Sequence, residues 1–405
     1  MVKDTEDNGA GVPDKMASIG LMQARLPKDK AEVLERARTA AQVLAKHNAW
    51  AEDAGQLHAA SIAALVAAGV PRLYLPEQLG GYAVDPMTCA QMVEILADAD
   101  PAAAWHVMVY NSARLLGANW PLSLIQRLWG NNPDALVAAS GHTPLQGVRE
   151  TGGYRVTGTN SFVSGCHHAD FMMAPMRCEG EMFSAILPMG ECCIHDNWNT
   201  LGMRGSGSND VSVDGVFIEA GMVAVQRSDP APNGFYQGQL YRCPSRVVFA
   251  TYIPVALSLA RRATEELQQL ALNKVPYASD AKLKARHVAQ MHYGRALAKY
   301  RAVHSYFYQA LQSVWDQAGR DEPFSDNDRA DLYLAGTHTM QTCAEVIRHV
   351  ADASGSNAFA RGNPLERIIR DMETLRHHGF ANESRYASFT QVLWEADLDY
   401  PLLLR

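Results

Sequence analysis

The spacing of apolar residues changes character twice along this chain, and that order limits the fold more than any other feature. Val33, Leu34, Ala37, Ala40, Ala41 and Leu44 recur at helical spacing. A second helix is expected over roughly 55–68, stopped by Gly69, with others from about Pro86 to Ala99 and from Ala102 to Leu116, and helix continuing to about Gly130. From about 136 short strands take over. Tyr154 to Gly158 alternates, Phe171–Arg177 and Met182–Leu187 flank Glu179-Gly180 as a hairpin does, and Val211 and Val213 run into an Asp214-Gly215 turn signal. Helical spacing returns after about 235, over Arg246–Ala271, Lys282–Ala318 and Asp326–Ala353. Ser325 with Asp328 imitates a capping box, Gly355 is placed to end the third of these helices, and a last helix starts near Pro364. The expected fold is α+β, mostly α: a helical domain over 25–135, a small β-barrel over 136–225 and a helical bundle over 235–405. Residues 1–28 read as a loose tail.

Charge and cysteine usage remove several function classes. Lys plus Arg number 36 against 43 Asp plus Glu, a formal charge of -7, which argues against binding to nucleic acid or to anionic lipid. The seven cysteines are irregularly spaced and read as reduced thiols. The polar start shows no secretory signal, and the apolar run from Ile62 to Val70 is too short for a bilayer, so a soluble cytoplasmic protein is expected. Cys166, His167, His168, Cys192, Cys193 and His195 cluster in sequence, but neighbours on strands point to opposite faces, and no metal is expected there. Gly202-Met203-Arg204-Gly205-Ser206-Gly207 has the wrong spacing for a dinucleotide loop.

Four separated segments carry a resemblance. They are Leu75-Pro76-Glu77-Gln78-Leu79-Gly80-Gly81, the strand from Gly153 to Gly165 that ends Phe162-Val163-Ser164-Gly165, the loop from Asp196 to Val211 containing Leu201-Gly202-Met203-Arg204-Gly205-Ser206, and Gly355 to Asp371 with Pro364-Leu365-Glu366-Arg367 and Arg370-Asp371. In this order, over about residues 30–395, they resemble the acyl-CoA dehydrogenase superfamily. The resemblance implies that superfamily's fold, with N-terminal helices, a central small β-barrel and a C-terminal four-helix bundle. It also implies a flavin lying along the strand that ends at Ser164. Phe162 would then cover a ring face and the Ser164 hydroxyl would meet the N5/O4 edge. Trp198, Met203, Arg204 and Ser206 would turn beside the flavin and the substrate, and Lys274 and Arg204 are candidates for its phosphate.

The chain departs from a dehydrogenase where the chemistry is decided. The carboxylate that removes a thioester α-proton sits, in most of the superfamily, eight residues after the Asp of the Arg-Asp pair. Here that residue is Gly379. The alternative location, on the first long C-terminal helix, holds Ser245, and neither residue can abstract a proton from carbon. Arg376-His377-His378, with His378 seven residues after Asp371, and Ser164-Gly165-Cys166-His167-His168-Ala169-Asp170 instead resemble the two-component flavin-dependent aromatic monooxygenases, which oxidise phenols, indoles and thiophene-type aromatics such as p-hydroxyphenylacetate and dibenzothiophene. That resemblance implies an oxygenase component fed with reduced FMN, or FAD, by a separate flavin reductase. O2 and a C4a-hydroperoxyflavin would oxidise an indole-like or phenolic substrate. His378, with an ordinary pKa of about 6.5, would pass the proton. Trp105, His106 and Tyr110 would wall the substrate cavity together with Met203, and the assembly would be a homotetramer. Two alternatives stand beside it: an acyl-CoA dehydrogenase or oxidase with a relocated base, and a non-catalytic flavin-binding homologue.

Overall fold

A computed structural model describes residues 29–225, 233–400 and 403, and the tail expected over 1–28 lies outside the described residues. Helix α1 (Lys30–Ala54) starts where the extended Asp29 accepts the Glu32 amide at 3.0 Å. Gly55 ends it in a left-handed conformation, so the second helix begins later than 55. That helix, α2 (Ala59–Ala67), is opened by His58, whose ring accepts the Ala60 amide at 3.1 Å. Next come α3 (Pro86–Ala99), capped by Asp85, and α4 (Pro101–Leu116), capped by Asp100, each with proline in its first turn. A short α5 (Leu122–Ile125) runs into a π-helical turn that closes at Gly130.

Eight strands follow among the described residues: β1 (Val137–Ala139), β2 (Leu145–Glu150), β3 (Gly153–Val163), β4 (Phe171–Cys178), β5 (Glu181–Pro188), β6 (Cys193–His195), β7 (Asn209–Glu219) and β8 (Val223–Val225). They pair in the order β6-β7-β3-β2-β4-β5-β8, with β1 parallel to β4. Glu179-Gly180 makes the β4–β5 hairpin turn with both residues at positive φ, as the twist of a tight hairpin requires. Asp214-Gly215 does not form a turn. It lies inside the eleven-residue β7, where the register against β3 shifts and the Gly215 amide donates to the Thr157 hydroxyl at 2.9 Å. The partner strand continues on both sides, so the Asp-Gly pair makes a bulge.

The C-terminal part contains α6 (Gln239–Arg242), α7 (Ile253–Asn273), α8 (His287–Gly319), α9 (Asp326–Ser354), α10 (Pro364–Leu375) and α11 (Arg385–Leu393). The helix expected from Arg246 does not run through. Residues Ser245–Thr251 form a 3-10 segment, Tyr252 breaks it at φ -148 and ψ -27, and α7 starts beyond. Pro254 explains the break, because it has no amide to donate four residues back and its ring would strike that carbonyl. The Ser325–Asp328 capping box forms, and Asn363 caps α10. Helix α10 ends at Leu375, leaving His377 and His378 in the turn that follows. Among the described residues no helix is long and apolar enough to cross a membrane.

Helix α7 is the centre of the packing. It touches α3 on one side and α9 on the other, and its first eight residues are all buried. Truncating Leu257 to alanine should cost about 2–5 kcal/mol through lost transfer energy and a residual cavity. A lower urea midpoint with an unchanged denaturant slope is the expected readout.

Candidate active site

The end of β3 is bent at a cost. Phe162 adopts a left-handed φ of 61°, uncommon for a residue with a Cβ, and its ring stays 52% exposed. This conformation rolls the chain over so that the Ser164 amide donates to the Phe162 carbonyl at 2.9 Å and the Ser164 side chain turns inward. There its hydroxyl receives the Trp105 indole N–H at 3.2 Å and lies 2.7 Å from the Ser208 hydroxyl, which lies 2.8 Å from that of Ser206. An indole can only donate. The three hydroxyl protons therefore can run in one direction, from Ser206 to Ser208 to Ser164, leaving the Ser164 proton free to point outward at an acceptor.

The loop that supplies Ser206 and Ser208 is held from two sides. The Met203 amide donates to the buried Asp371 carboxylate at 2.6 Å, and the Gly202 amide donates to the Thr374 hydroxyl at 2.9 Å. A Cβ on Gly202 would fall inside the Arg370 carbonyl, so only glycine permits the approach. Trp198 donates its indole N–H to the Met203 carbonyl at 3.3 Å and stands edge-on to Phe162, with ring centres 6.3 Å apart. Arg204 donates to the Glu52 carbonyl at 2.9 Å and to Asn199 at 3.0 Å, tying the loop to α1. Lys274, at the end of α7, donates to the Ser354 carbonyl and to Asn357, each at 2.9 Å. The two cations read from sequence as phosphate ligands thus sit on different elements, each engaged with internal acceptors.

His378 enters an aromatic box. Its ring centre lies 5.0 Å from Trp105, 5.8 Å from Tyr252 and 5.0 Å from Phe380, each contact close to edge-on. Trp105 and Tyr252 meet each other at 5.6 Å, and the Arg246 guanidinium lies over Phe380 at 4.9 Å. Desolvation alone pushes the His378 pKa down to about 4. The Phe380 amide approaches His378 Nδ1 at 3.4 Å, which assigns the ring proton to Nε2. Trp105 therefore bridges the two groups read as catalytic, with its N–H on Ser164 and its ring on His378.

Residues 105 and 106 lie about 100° apart on a helix, so they serve different surfaces. His106 is buried, with Nδ1 2.8 Å from the Ala102 carbonyl, and Gly165 packs against its ring. Tyr110 lies beside it at 5.4 Å. These two back the Ser164-Gly165 turn, and of the three α4 residues named from sequence only Trp105 joins the box. Ser208, Tyr252 and Phe380 escaped the sequence reading. The alternation Ser206-Gly207-Ser208 and the Phe two places after His378 were signals; for Tyr252 only the chain break before Pro254 points to it. The clustered histidines of the β region take separate partners, His167 with Asn209 at 3.0 Å and His168 with the Leu57 carbonyl at 2.8 Å.

Fold and site together define a class. Residues 27–119 match the family described as acyl-CoA dehydrogenase, N-terminal domain, and residues 250–383 match acyl-CoA dehydrogenase, C-terminal domain. The chain belongs to the acyl-CoA dehydrogenase superfamily and, within it, to the flavin-dependent monooxygenases. It is 28% identical over 334 residues to an indole-3-acetate monooxygenase of Pseudomonas putida, covering 80% of this chain and 84% of that one. It is 22% identical over 366 residues to the oxygenase component of p-hydroxyphenylacetate 3-hydroxylase of Acinetobacter baumannii, covering 86% of each. In fold it resembles XiaF from Streptomyces sp. in complex with FADH2 and glycerol, with a TM-score of 0.86, 22% identity, and 92% and 97% of the two chains covered. The residues present fit a flavin: a strained, exposed Phe162 and an edge-on Trp198 offer a wall for a flat ring system beside a serine able to donate outward.

The neutral histidines set a pH dependence of stability. Desolvation lowers both His106 and His378 to about 4, whereas the unfolded chain titrates near 6.5, so the unfolded state binds more protons between these values. Stability should fall as pH drops from about 6.5 to 4, by up to about 3 kcal/mol from the fully buried His106. Urea titrations across that window should show the loss, and His106→Gln should flatten part of it.

Proposed function

We propose that this chain is the oxygenase component of a two-component monooxygenase. It takes FMN or FAD reduced by a separate flavin reductase and uses O2 to oxidise a flat aromatic or heteroaromatic substrate, indole-like or phenolic. The observation that carries this reading is an imidazole, His378, in an aromatic box joined to Ser164 through Trp105, while Gly379 and Ser245 occupy the places where desaturation would need a carboxylate. The names of the relatives, which act on indole-3-acetate and on p-hydroxyphenylacetate, support the aromatic class.

Bound reduced flavin would supply the electrons that activate O2, one oxygen atom entering the substrate and the other leaving as water. Phe162 and Trp198 would hold its ring system. Ser164 would donate to its N5/O4 edge, with Ser206 and Ser208 fixing the direction of that proton. Arg204 and Lys274 would meet the phosphate with the N–H donors that their internal contacts leave over. Trp105, Met203, Tyr252 and Phe380 enclose the substrate and keep out water, while His106 and Tyr110 support the Ser164 turn from behind. His378, neutral at working pH, offers Nε2–H to an oxygen of the substrate and exchanges its proton there. The chain works as a cytoplasmic homotetramer, and its seven free thiols suit a reducing compartment.

An anaerobic titration with reduced FMN, followed by O2 and a panel of indoles and phenols, tests the proposal. Hydroxylated product should form only when reduced flavin is supplied. His378→Ala should lower product per reduced flavin by about 10²-fold while hydrogen peroxide rises. Bleaching of bound FAD by an acyl-CoA, with no hydroxylation, would reverse the reading in favour of a dehydrogenase.

A further inference from the structure

The long helical pair of the C-terminal bundle carries a group of ligands that the active site does not use. His292 lies early in α8, and His349 and Asp352 lie near the end of α9. We propose that His292, His349 and Asp352 form a binding site for a divalent transition-metal ion of the zinc type, which clamps α8 to α9.

The spacing is that of a coordination edge. The two Nδ1 atoms stand 3.3 Å apart, and two nitrogens bound at about 2.0–2.1 Å to one tetrahedral ion are separated by about the same distance. His349 and Asp352 are three apart on one helix and so share a face. One ligand atom from each of the three residues lies within 4.8 Å of the others, and both histidines are partly buried while Asp352 is exposed. Imidazole and carboxylate are the ligand set of zinc and its neighbours, and three protein ligands leave a fourth position open. A direct His–His hydrogen bond is the competing account of the 3.3 Å contact. It gives Asp352 no role, whereas an ion uses all three side chains.

The local charges set the balance. Arg295 and Lys299 act on His349 from α8. Lys299 is paired with Glu345 at 2.5 Å, and Asp352 adds the negative charge a dication needs. The position suits a clamp. Residues 320–325 join α8 to α9 at one end, and His292 and His349, 57 residues apart in sequence, meet towards the other. An ion held there by the folded chain stabilises the α8–α9 pair by mass action. Sequence spacing hides this group, because it is the α8–α9 packing that brings these three residues together.

The test uses the full chain stripped of metal and titrated with Zn2+ against a chromophoric chelator, with Co2+ as a spectroscopic probe. One ion per chain is expected, with a visible Co2+ band of four-coordinate intensity and a raised melting temperature. His292→Ala and His349→Ala should each weaken binding at least tenfold and abolish the band, with metal-free melting unchanged, and Asp352→Asn should weaken binding less. Because fourteen histidines give a background, the His292→Ala/His349→Ala double variant sets the baseline. Wild-type protein that binds no better than this variant, or a Co2+ band that survives in it, overturns the proposal.

Discussion

The site depends on one seam, where the loop before β7 is held between α1 and α10. Asp371 takes the Met203 amide, Gly202 lies against the Arg370 carbonyl, and Arg204 reaches back to the Glu52 carbonyl. On the other side Arg367 pairs with Glu52 at 3.1 Å and approaches Asp371 at 3.5 Å, and Arg370 pairs with Glu52 and with Glu366. Arg367 also faces Asp100, the cap of α4, at 3.7 Å. One partly buried ion-pair network therefore fixes the helix that bears Trp105, the loop that bears Ser206 and Ser208, and the helix from which His378 hangs. Buried charges are costly to leave unpaired, so the network tolerates few alternative arrangements.

Within that frame, desolvation decides the chemistry. A ring of Trp105, Tyr252 and Phe380 surrounds His378, and among the described residues desolvation is what acts on it, so the imidazole stays neutral and has a proton on one nitrogen only. A carboxylate in the same box would meet the same desolvation, which drives it towards its neutral form. The Ser164 hydroxyl gains its direction in the same way, because the indole N–H of Trp105 occupies one acceptor position and leaves the proton to be set by its serine neighbours.

Much of this was legible in the sequence. The three-part order was visible because the two apolar periods differ so strongly, and the cap at Ser325, the first-turn Pro364 and the Glu179-Gly180 turn are local chemistry. Asp214-Gly215 misled because whether such a pair turns or bulges depends on the partner strand, which lies 55 or more residues away. The apolar spacing from Arg246 runs on through Pro254, but the proline makes α7 start afresh at Ile253. Ser164 and His378 could be picked out by motif, but that Trp105 joins them, and that His106 on the next position does not, is a fact of tertiary packing.

The length of α10 links the helix to the chemistry. The resemblance puts the usual carboxylate eight residues after Asp371, two turns further along. Here the helix stops at Leu375, Gly379 occupies that position, and the His378 amide closes the turn on the Leu375 carbonyl at 3.1 Å. An unbroken helix would carry residue 378 on its own cylinder, with Phe380 almost half a turn away from it. In the observed turn the two rings meet at 5.0 Å, and Phe380 supplies one wall of the box around His378. The imidazole and the turn that presents it are thus coupled, and a carboxylate placed at 379 alone would stand in a turn whose direction is set for residue 378.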